Sequence, residues 1–373
     1  MITINSKELL SAISKVIGVI DRKSTRPLLN HCLLHFTMDH CYLAATDLEV
    51  SAKVNIEAKC DSEQIFCINS KYFYDLLKEL PESELSLELN KSNNTLQVKY
   101  NQATFNLVIV SASEYPQLNF DRPANILTLK ASEIREFIHK VSYAMSSDET
   151  RLFLNGIFLQ STNTNKLKVV AIDGHRLAIY EFSPEKEMSN YIQEGILFPK
   201  KGVNELKRLA DYAEDEYISL YCDQNYVVAN TRKEEIAIRL IAREYPKYQS
   251  VIPTKASFKL NVDKSKFYTG IKRIRTFSNE QTNGVKILLK KDLIILSSGN
   301  QNLGHGQEVI ESEFNGEETE INVNAKYLMD TLAVIDEPEI ILEFEHSQSP
   351  IVIRPKSLDV NEQYLSIIMP LRP

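Results

Sequence analysis

The stretch ITINSKELLSAISKV at residues 2–16 decides the fold, because the chain repeats its pattern twice more. The second copy, LTLKASEIREFIHKV, begins at Leu127, and the third, FKLNVDKSKFYTGIKRI, begins at Phe258. In each copy a short strand with alternating apolar residues is followed by apolar residues at helical spacing. A period this long indicates repeated domains rather than a solenoid built from small units.

A second landmark follows each copy and fixes the length of the repeat. The segments YLAATDLEV, LKVVAIDGHRLAIY and LIILSSGNQNLG each combine an apolar strand with a turn. Asp47, Asp173 and Gly299 occupy corresponding positions in them, at equal steps of 126 residues. We therefore expect an α+β fold of three repeated domains, each with two helices packed on antiparallel sheets. The expected domains are 1–122, 123–254 and 255–373, and the expected helices are 6–20, 70–80, 132–142, 200–211, 263–275 and 326–335.

Composition is typical of a soluble globular protein, with 43% hydrophobic residues. The opening MITINSKELL lacks the basic and apolar pattern of a secretory signal, and no apolar run approaches the ~20 residues that span a membrane. Five cysteines, an odd number without a CxxC pair, predict reduced thiols. We expect a cytoplasmic protein.

Charge is distributed unevenly along the chain. The formal net charge is −7, but the six predicted helices, with the basic turn up to Arg26, carry +9 and leave −16 on the other residues. Segregation of this kind predicts basic helical surfaces on an otherwise acidic protein, and such surfaces suit nucleic acid.

Asp173-Gly174-His175-Arg176 leaves two interpretations open. An Asp that orients a His is a common arrangement for a general base, so a hydrolase using Asp173 and His175 is one hypothesis. The other is a turn between two strands, in which Gly174 supplies a permissive backbone. No motif for a metal, a cofactor or a nucleophile elbow accompanies the segment, so we expect no catalytic residues, no metal and no cofactor.

The C-terminal segment YLSIIMPLRP is unusually apolar for a chain end. Pro370 cannot donate a backbone hydrogen bond, so we expect strand pairing to stop before it and Met369 to Leu371 to lie at a surface. An exposed apolar end that includes an adaptable Met suits a groove that binds peptides.

Several motifs, in order along the whole chain, together resemble the bacterial DNA sliding clamp family, the beta subunit of DNA polymerase III. They are RLFLNG at 151–156, DGHRLA at 173–178, FPKKGVNEL at 198–206, EYPKYQSVIP at 244–253 and MPLR at 369–372. The resemblance implies a non-enzymatic processivity factor: a head-to-tail homodimer whose six domains form a ring around duplex DNA without reading its sequence. Implied partners are the replicative polymerase, the clamp loader and other replication and repair proteins that carry a clamp-binding motif.

The resemblance places a groove for short Gln- and Leu-containing peptides between the second and third domains. We call its residues the predicted partner groove: Leu154, Gly174, His175, Arg176, Leu177, Pro246, Val251, Ile367, Ile368, Met369, Pro370, Leu371 and Arg372. The sequence departs from the family pattern nearby. The departures are Ile172 before the Asp-Gly-His-Arg motif, Ser250, Ser366 where a Tyr often stands, and Pro373 at the end.

The family pattern also implies residues for DNA and for the dimer interface. Arg22, Lys23, Arg26, Lys200 and Lys201 match basic positions that face DNA, and charge alone adds Lys272, Arg273 and Arg275. Phe105 and Phe277 match apolar positions of the dimer interface. Gln102 and Thr104 stand where basic residues are common, so we expect a weaker or more apolar interface than usual. A scaffold of three repeats without a role on DNA is the remaining alternative.

Overall fold

A computed structural model describes residues 1–20, 26–90, 92–148, 150–162, 165–188, 192–213, 216–314, 316–357 and 362–372. Six α-helices lie in this part of the chain, at the places that the apolar spacing predicts. They are α1 (Ser6–Val16), α2 (Ser70–Glu79), α3 (Ala131–Val141), α4 (Lys200–Tyr212), α5 (Lys264–Ile274) and α6 (Ala325–Ala333).

The predicted end of the first helix at residue 20 is wrong by four residues. The N–H of Ile17 still bonds to the carbonyl of Ile13, but Val19 and Ile20 bond three residues back, to Val16 and Ile17. The chain therefore tightens into turns after α1 while its apolar residues continue inward, which periodicity alone does not distinguish from a longer helix.

Asn or Asp side chains start four of the helices. Asn5, Asn69, Asp263 and Asn324 each accept a hydrogen bond from a backbone N–H in the first turn that follows. These bonds satisfy amides that have no partner inside the helix. They explain why the chain passes directly from strand to helix in the first and third repeats.

Strands occupy most of the remaining described residues. Those before 123 are β1 (Ile2–Asn5), β2 (His31–Phe36), β3 (Cys41–Thr46), β4 (Val50–Asn55), β5 (Ala58–Cys60), β6 (Gln64–Asn69), β7 (Glu84–Asn90), β8 (Thr95–Tyr100) and β9 (Ala103–Val110). Those from 123 to 254 are β10 (Asn125–Lys130), β11 (Gly156–Ser161), β12 (Leu167–Ile172), β13 (Arg176–Phe182), β14 (Ile196–Pro199), β15 (Tyr217–Cys222), β16 (Tyr226–Asn230) and β17 (Glu234–Arg239). The last are β18 (Phe258–Asp263), β19 (Gly284–Lys290), β20 (Leu293–Asn300), β21 (Gly304–Glu311), β22 (Thr319–Asn324), β23 (Glu339–Phe344), β24 (Ile351–Pro355) and β25 (Glu362–Ile368).

Close packing divides the chain into two compact units. The first comprises 1–134 and 201–240. It contains a sheet of thirteen strands in the order β10-β15-β16-β17-β4-β3-β2-β6-β9-β8-β7-β1-β5, whose inner side chains and α1 form the core. The antiparallel β17–β4 ladder, with Ile238 opposite Val50, continues the sheet from the first repeat into the second.

The second unit comprises 135–200 and 241–373. It contains an eight-stranded sheet, β14-β11-β12-β13-β25-β24-β23-β18, and a four-stranded sheet, β21-β20-β19-β22. Here the β13–β25 ladder, with Leu177 opposite Ile367, joins the second repeat to the third. Each junction between repeats is thus a hydrogen-bonded ladder. The domain boundaries expected at 122 and 254 stay predictions, because packing and repetition divide a chain by different criteria.

No helix in the described ranges combines the length and the apolar character needed to cross a membrane. All five cysteines are free thiols, in agreement with the expectation from their number and spacing.

Candidate functional site

The segment from Asp173 to Arg176 forms the turn between β12 and β13. The Asp173 carboxylate accepts hydrogen bonds from the backbone N–H of His175 at 2.8 Å and of Arg176 at 2.9 Å. Gly174 has a φ of +94°, which a side chain would disfavour. The Asp173 carboxylate therefore organises the turn, and the structure supports the turn interpretation over a base oriented by Asp173.

Arg176 is the buried charge of this turn. Its guanidinium donates to Asp173 Oδ2 at 2.9 Å and to Asp330 Oδ2, on α6, at 2.7 Å. It also lies over the rings of Tyr327 and Tyr143, with centroids at 4.4 and 5.2 Å. Burial alone would lower the pKa of Arg176, but the hydrogen bonds and charges of the two carboxylates outweigh it and raise that pKa. The side chain thus stays charged and fixes the turn against α6.

The C-terminal segment lies against the same turn. Strand β25 ends at Ile368, as the proline predicts, and the next N–H, of Met369, donates to the carbonyl of His175 at 2.8 Å. Two residues on, the N–H of Leu371 donates to the carbonyl of Asn322 on β22 at 2.7 Å. The Met369 side chain is 40% exposed, so an apolar surface lies beside the exposed His175.

Within the predicted partner groove, four members lie below the surface. Leu154, Leu177, Ile367 and Ile368 are at most 5% exposed. Leu177 and Ile367 pack in a core cluster with Tyr245 and other residues. These four side chains support the groove and offer a ligand almost no area. The surface comes from the half-buried or exposed members, which are Gly174, His175, Pro246, Val251, Met369, Pro370, Leu371 and Arg372.

The residues predicted to face DNA fall in different surroundings. Arg22 and Lys23 lie outside the described residues, and Arg26 directly precedes the 3₁₀ turn Pro27–Asn30. Lys200 is exposed at the start of α4. Lys201 pairs with the Asp47 carboxylate and donates to the Val19 carbonyl at 2.6 Å. Its charge is therefore already compensated by Asp47.

The three cations at the end of α5 differ in the same way. Lys272 is exposed. Arg273 donates from Nε to Glu308 Oε2 at 2.9 Å, and the hydrogen bond with that carboxylate is the main cause that raises the pKa of Arg273. Arg275 donates to Asn283 Oδ1 at 3.1 Å. Arg273 and Arg275 thus contact neighbouring side chains, whereas the Lys272 side chain is exposed to solvent.

Both residues predicted for the dimer interface lie near strands with an unpaired side. Phe105 is half-buried on β9, which pairs with β8 along its length but with β6 only through Ile109 and Val110. Phe277 is half-buried after α5, and its ring lies so close to Gly306 of β21 that a Cβ there would approach it to 2.6 Å. Strand β21 is an edge of the four-stranded sheet.

Sequence reasoning missed several residues around these surfaces. Tyr143, Tyr327 and Asp330 all contact Arg176, yet Asp330 is 154 positions away in sequence. Val108 on β9 and Val309 on β21 are 72% and 52% exposed, which is unusual for Val in a strand. The alternation of side chains along each strand could have identified the two valines as outward-facing. The contacts of the two tyrosines with Arg176 depend on tertiary packing and have no signal in the sequence.

Comparison with known proteins gives the fold a class, that of the DNA sliding clamps. Three family models match consecutively, the N-terminal domain of the DNA polymerase III beta subunit at 1–119, its central domain at 128–247 and its C-terminal domain at 249–372. The chain belongs to the DNA polymerase III beta subunit family, and it is a processivity factor of DNA replication.

Individual relatives agree over the full length. The beta sliding clamp of Caulobacter vibrioides is 30% identical over 376 residues, which cover 100% of this chain and 99% of the relative. That of Pseudomonas putida is 28% identical over 373 residues, 99% of each. Among solved structures, the DNA polymerase III subunit beta from Pseudomonas aeruginosa has a TM-score of 0.93 at 25% identity, and the Caulobacter crescentus pol III beta has 0.92 at 28%. Both alignments cover 100% of each chain.

Proposed function

We propose that two copies of the chain close head to tail into a ring around duplex DNA, and that the predicted partner groove tethers the replicative polymerase to it. The contact between the 173–176 turn and the C-terminal segment carries this proposal. An exposed imidazole and an exposed Met369 side chain lie together on a buried apolar floor. A short apolar and polar peptide segment fits such a surface.

The open sheet edges account for the dimer. Strand β9 of one copy pairs with β21 of the second, which covers two rows of backbone groups and the exposed side chains of Val108 and Val309. Phe105 and Phe277 form the apolar centre of that interface. Gln102 and Thr104 are exposed beside it and carry no charge, so the interface depends on apolar contact and strand pairing more than on ion pairs.

Duplex DNA is held mainly by enclosure. Lys200, Lys272 and Arg26 supply loose phosphate contacts without base recognition. Weak contact suits sliding, because a protein that neutralised many phosphates would have to break those contacts at each step. The ring performs no chemistry, and the Asp173 carboxylate is engaged in its own turn.

Tethering explains processivity through effective concentration. A polymerase that holds the ring by a short peptide segment rebinds the primer end before it diffuses away. The clamp loader and other replication and repair proteins with the same kind of motif compete for this groove. These partners place the protein in the bacterial cytoplasm, at the DNA.

Deletion of residues 369–373 tests the groove. We expect the deletion to abolish polymerase stimulation on primed circular DNA. The variant should still have the mass of two chains and the scattering profile of a hollow particle, as the unaltered protein should. Met38→Ser serves as a control, because it removes a methionine that is 79% exposed outside the groove. Stimulation that survives the deletion would remove the basis for the groove assignment.

A binding assay tests the same proposal directly. A fluorescein-labelled peptide with a Gln- and Leu-containing motif should bind the full-length protein and lose binding in the deletion variant. Griselimycin is bound in crystal structures of clamps from Pseudomonas aeruginosa and Bartonella birtlesii. It should displace the labelled peptide here if the chain offers the same kind of surface.

A further inference from the structure

A buried cluster of four hydroxyl groups lies beneath the 173–176 turn. The Tyr143 hydroxyl donates to Ser366 Oγ at 2.9 Å and lies 2.9 Å from the Tyr364 hydroxyl. Thr331 Oγ1 donates to the Tyr143 hydroxyl at 3.2 Å and lies 3.1 Å from Ser366 Oγ. Thr331, Tyr364 and Ser366 are at most 3% exposed. A fully bonded buried network of this kind fixes the elements that contribute to it.

The cluster joins three elements that are distant in sequence. Tyr143 lies in the 3₁₀ turn Ser142–Ala144 after α3, Thr331 lies on α6, and Tyr364 and Ser366 lie on β25. Tyr364 and Ser366 are two positions apart on a strand, so their side chains point to the same face. The small Ser366 side chain, at the position where the family pattern often has Tyr, leaves room for the Tyr143 hydroxyl.

The Tyr143 ring is the link between the cluster and the turn. The centroid of the Tyr143 ring lies 5.2 Å from the Arg176 guanidinium, which also lies over the Tyr327 ring. Arg176 in turn holds Asp173, whose carboxylate accepts the N–H of His175. His175 supplies the carbonyl that binds the Met369 N–H.

The first repeat lacks this device. In the paired segments 2–16 and 127–141, Val16 corresponds to Val141, so Gly18 corresponds to Tyr143. The spacing of Asp47 and Asp173 likewise pairs Val50 with Arg176. At the first turn the Asp47 carboxylate pairs with Lys201, from another element, instead of with an arginine of its own turn. The first repeat therefore has no counterpart of the stacked Tyr–Arg pair at its corresponding turn.

We propose that Tyr143 is a positioning residue of the predicted partner groove. Its hydroxyl, fixed by Ser366 and Tyr364, holds the ring under Arg176, and Arg176 sets the conformation in which His175 and Met369 face a partner peptide. This inference rests on the proposed function and adds a residue that lies outside the groove surface. Loss of the hydroxyl frees the ring, and the turn then spends less time in the binding conformation.

Tyr143→Phe tests the proposal, with Tyr115→Phe as the matched control. Tyr115 is a buried tyrosine in the first compact unit, and its hydroxyl, like that of Tyr143, is hydrogen-bonded, here to the carbonyl of His31 and the N–H of Thr46. We expect the labelled Gln- and Leu-containing peptide to bind Tyr143→Phe about two- to thirtyfold more weakly. The control should stay within twofold of the unaltered protein. Equal affinities in the two variants would overturn the proposal.

A double-mutant cycle separates positioning from simple loss of stability. If Tyr143 acts through Arg176, Tyr143→Phe should weaken binding much less in an Arg176→Lys background than in the unaltered protein. Additive effects would overturn the proposal. Ser366→Ala, which removes the acceptor of the Tyr143 hydroxyl, should weaken binding in the same direction and serves if Tyr143→Phe folds poorly.

Hydrogen exchange on the free protein tests the mechanism without a partner. In the peptic fragment that contains Met369, the Met369 amide hydrogen should exchange faster in Tyr143→Phe than in Tyr115→Phe. The reason is that the hydrogen bond from this amide to the His175 carbonyl opens more often. Unchanged exchange would overturn the proposal even if affinity fell. A full-length protein that does not bind the peptide would instead count against the proposed function, and the exchange measurement would still decide the role of Tyr143.

Discussion

The backbone of a single residue, Gly174, determines the shape of the turn in the predicted partner groove. Its φ of +94° lies in the left-handed region, where a side chain costs energy. The corresponding residue of the first repeat, Leu48, has a φ of +80° without being glycine. The sequence correctly predicted a permissive backbone at Gly174. It could not predict the same conformation at Leu48, because a bulky residue rarely adopts it.

Replacement of Gly174 by Ala should lower the free energy of unfolding by about 1–2 kcal/mol, because the new Cβ is strained at this φ. Denaturation in urea measures the change. Gly299→Ala is the control, since Gly299 lies in the third repeat one position before the residue that corresponds to Gly174, its φ is outside the left-handed region, and its added Cβ would lie 3.4 Å from its nearest neighbour, in ordinary contact. A loss at Gly299 as large as at Gly174 would contradict the argument from φ.

Strand ladders join neighbouring repeats, and the β17–β4 ladder contains a buried carboxylate, that of Glu235, with two cationic partners. Glu235 lies opposite Lys53 in the ladder, and its Oε2 lies 2.5 Å from Lys53 Nζ. The same carboxylate also forms an ion pair with Arg122. Burial alone would raise the pKa of Glu235, but the hydrogen bonds and charges of Lys53 and Arg122 outweigh it and lower that pKa. Periodicity predicted both strands, whereas their pairing, between residues of different repeats, needed the structure.

The Glu235 carboxylate should make this ladder sensitive to acid. The pKa of Glu235 is lower in the folded state than in the unfolded state, where it is near 4.3. The ionised carboxylate therefore stabilises the fold at pH values above the unfolded-state pKa, and this stabilisation is lost as pH falls through the folded-state pKa. Glu235→Gln should cost about 1–3 kcal/mol near neutral pH and flatten the decline of stability below about pH 5. Thermal unfolding at several pH values measures it; parallel curves for the two proteins would contradict the assignment.

Strand β9, whose residues before Ile109 pair only with β8, makes a second prediction at this scale. Val108→Lys places a charge in the proposed interface and should raise the dimer dissociation constant at least about tenfold, because charged residues on an edge oppose pairing with another strand. Met38→Lys adds the same charge to another exposed apolar position of the first compact unit. Sedimentation equilibrium should show dissociation only for the first variant. Two dimers of equal strength would contradict the pairing of β9 with β21.

For the whole molecule, the sequence predicted the three repeats, the six helices and the family, because each depends on the order of residues along the chain and not on which segments are in contact. The surfaces were predicted less completely. The sequence placed Leu177 and Ile367 at a peptide-binding surface, but both side chains are buried. It placed Lys201 at a DNA-facing surface, but Lys201 is paired with Asp47. The burial of an apolar side chain and the ion pairing of a lysine both depend on neighbours from other repeats. The pattern of residues within one segment carries no information about those neighbours.

A ring that holds DNA by enclosure makes a prediction for the assembled protein. Once loaded onto nicked circular DNA, it should stay bound at salt concentrations that remove proteins held by phosphate contacts alone. Cutting the circle should release it by sliding off the ends. Gel filtration of labelled protein measures both. Release from the intact circle at moderate salt would mean that ionic attraction, rather than topology, retains the protein.

The two ladders between repeats also limit how the chain can be dissected. A fragment that contained the third repeat alone would keep the C-terminal segment but would uncover β25, whose neighbour β13 belongs to the second repeat. Its free backbone groups would then template intermolecular pairing and aggregation. Truncated versions for inhibitor screening should therefore retain β11 to β14 together with the third repeat, although the repeat boundary suggests a shorter piece.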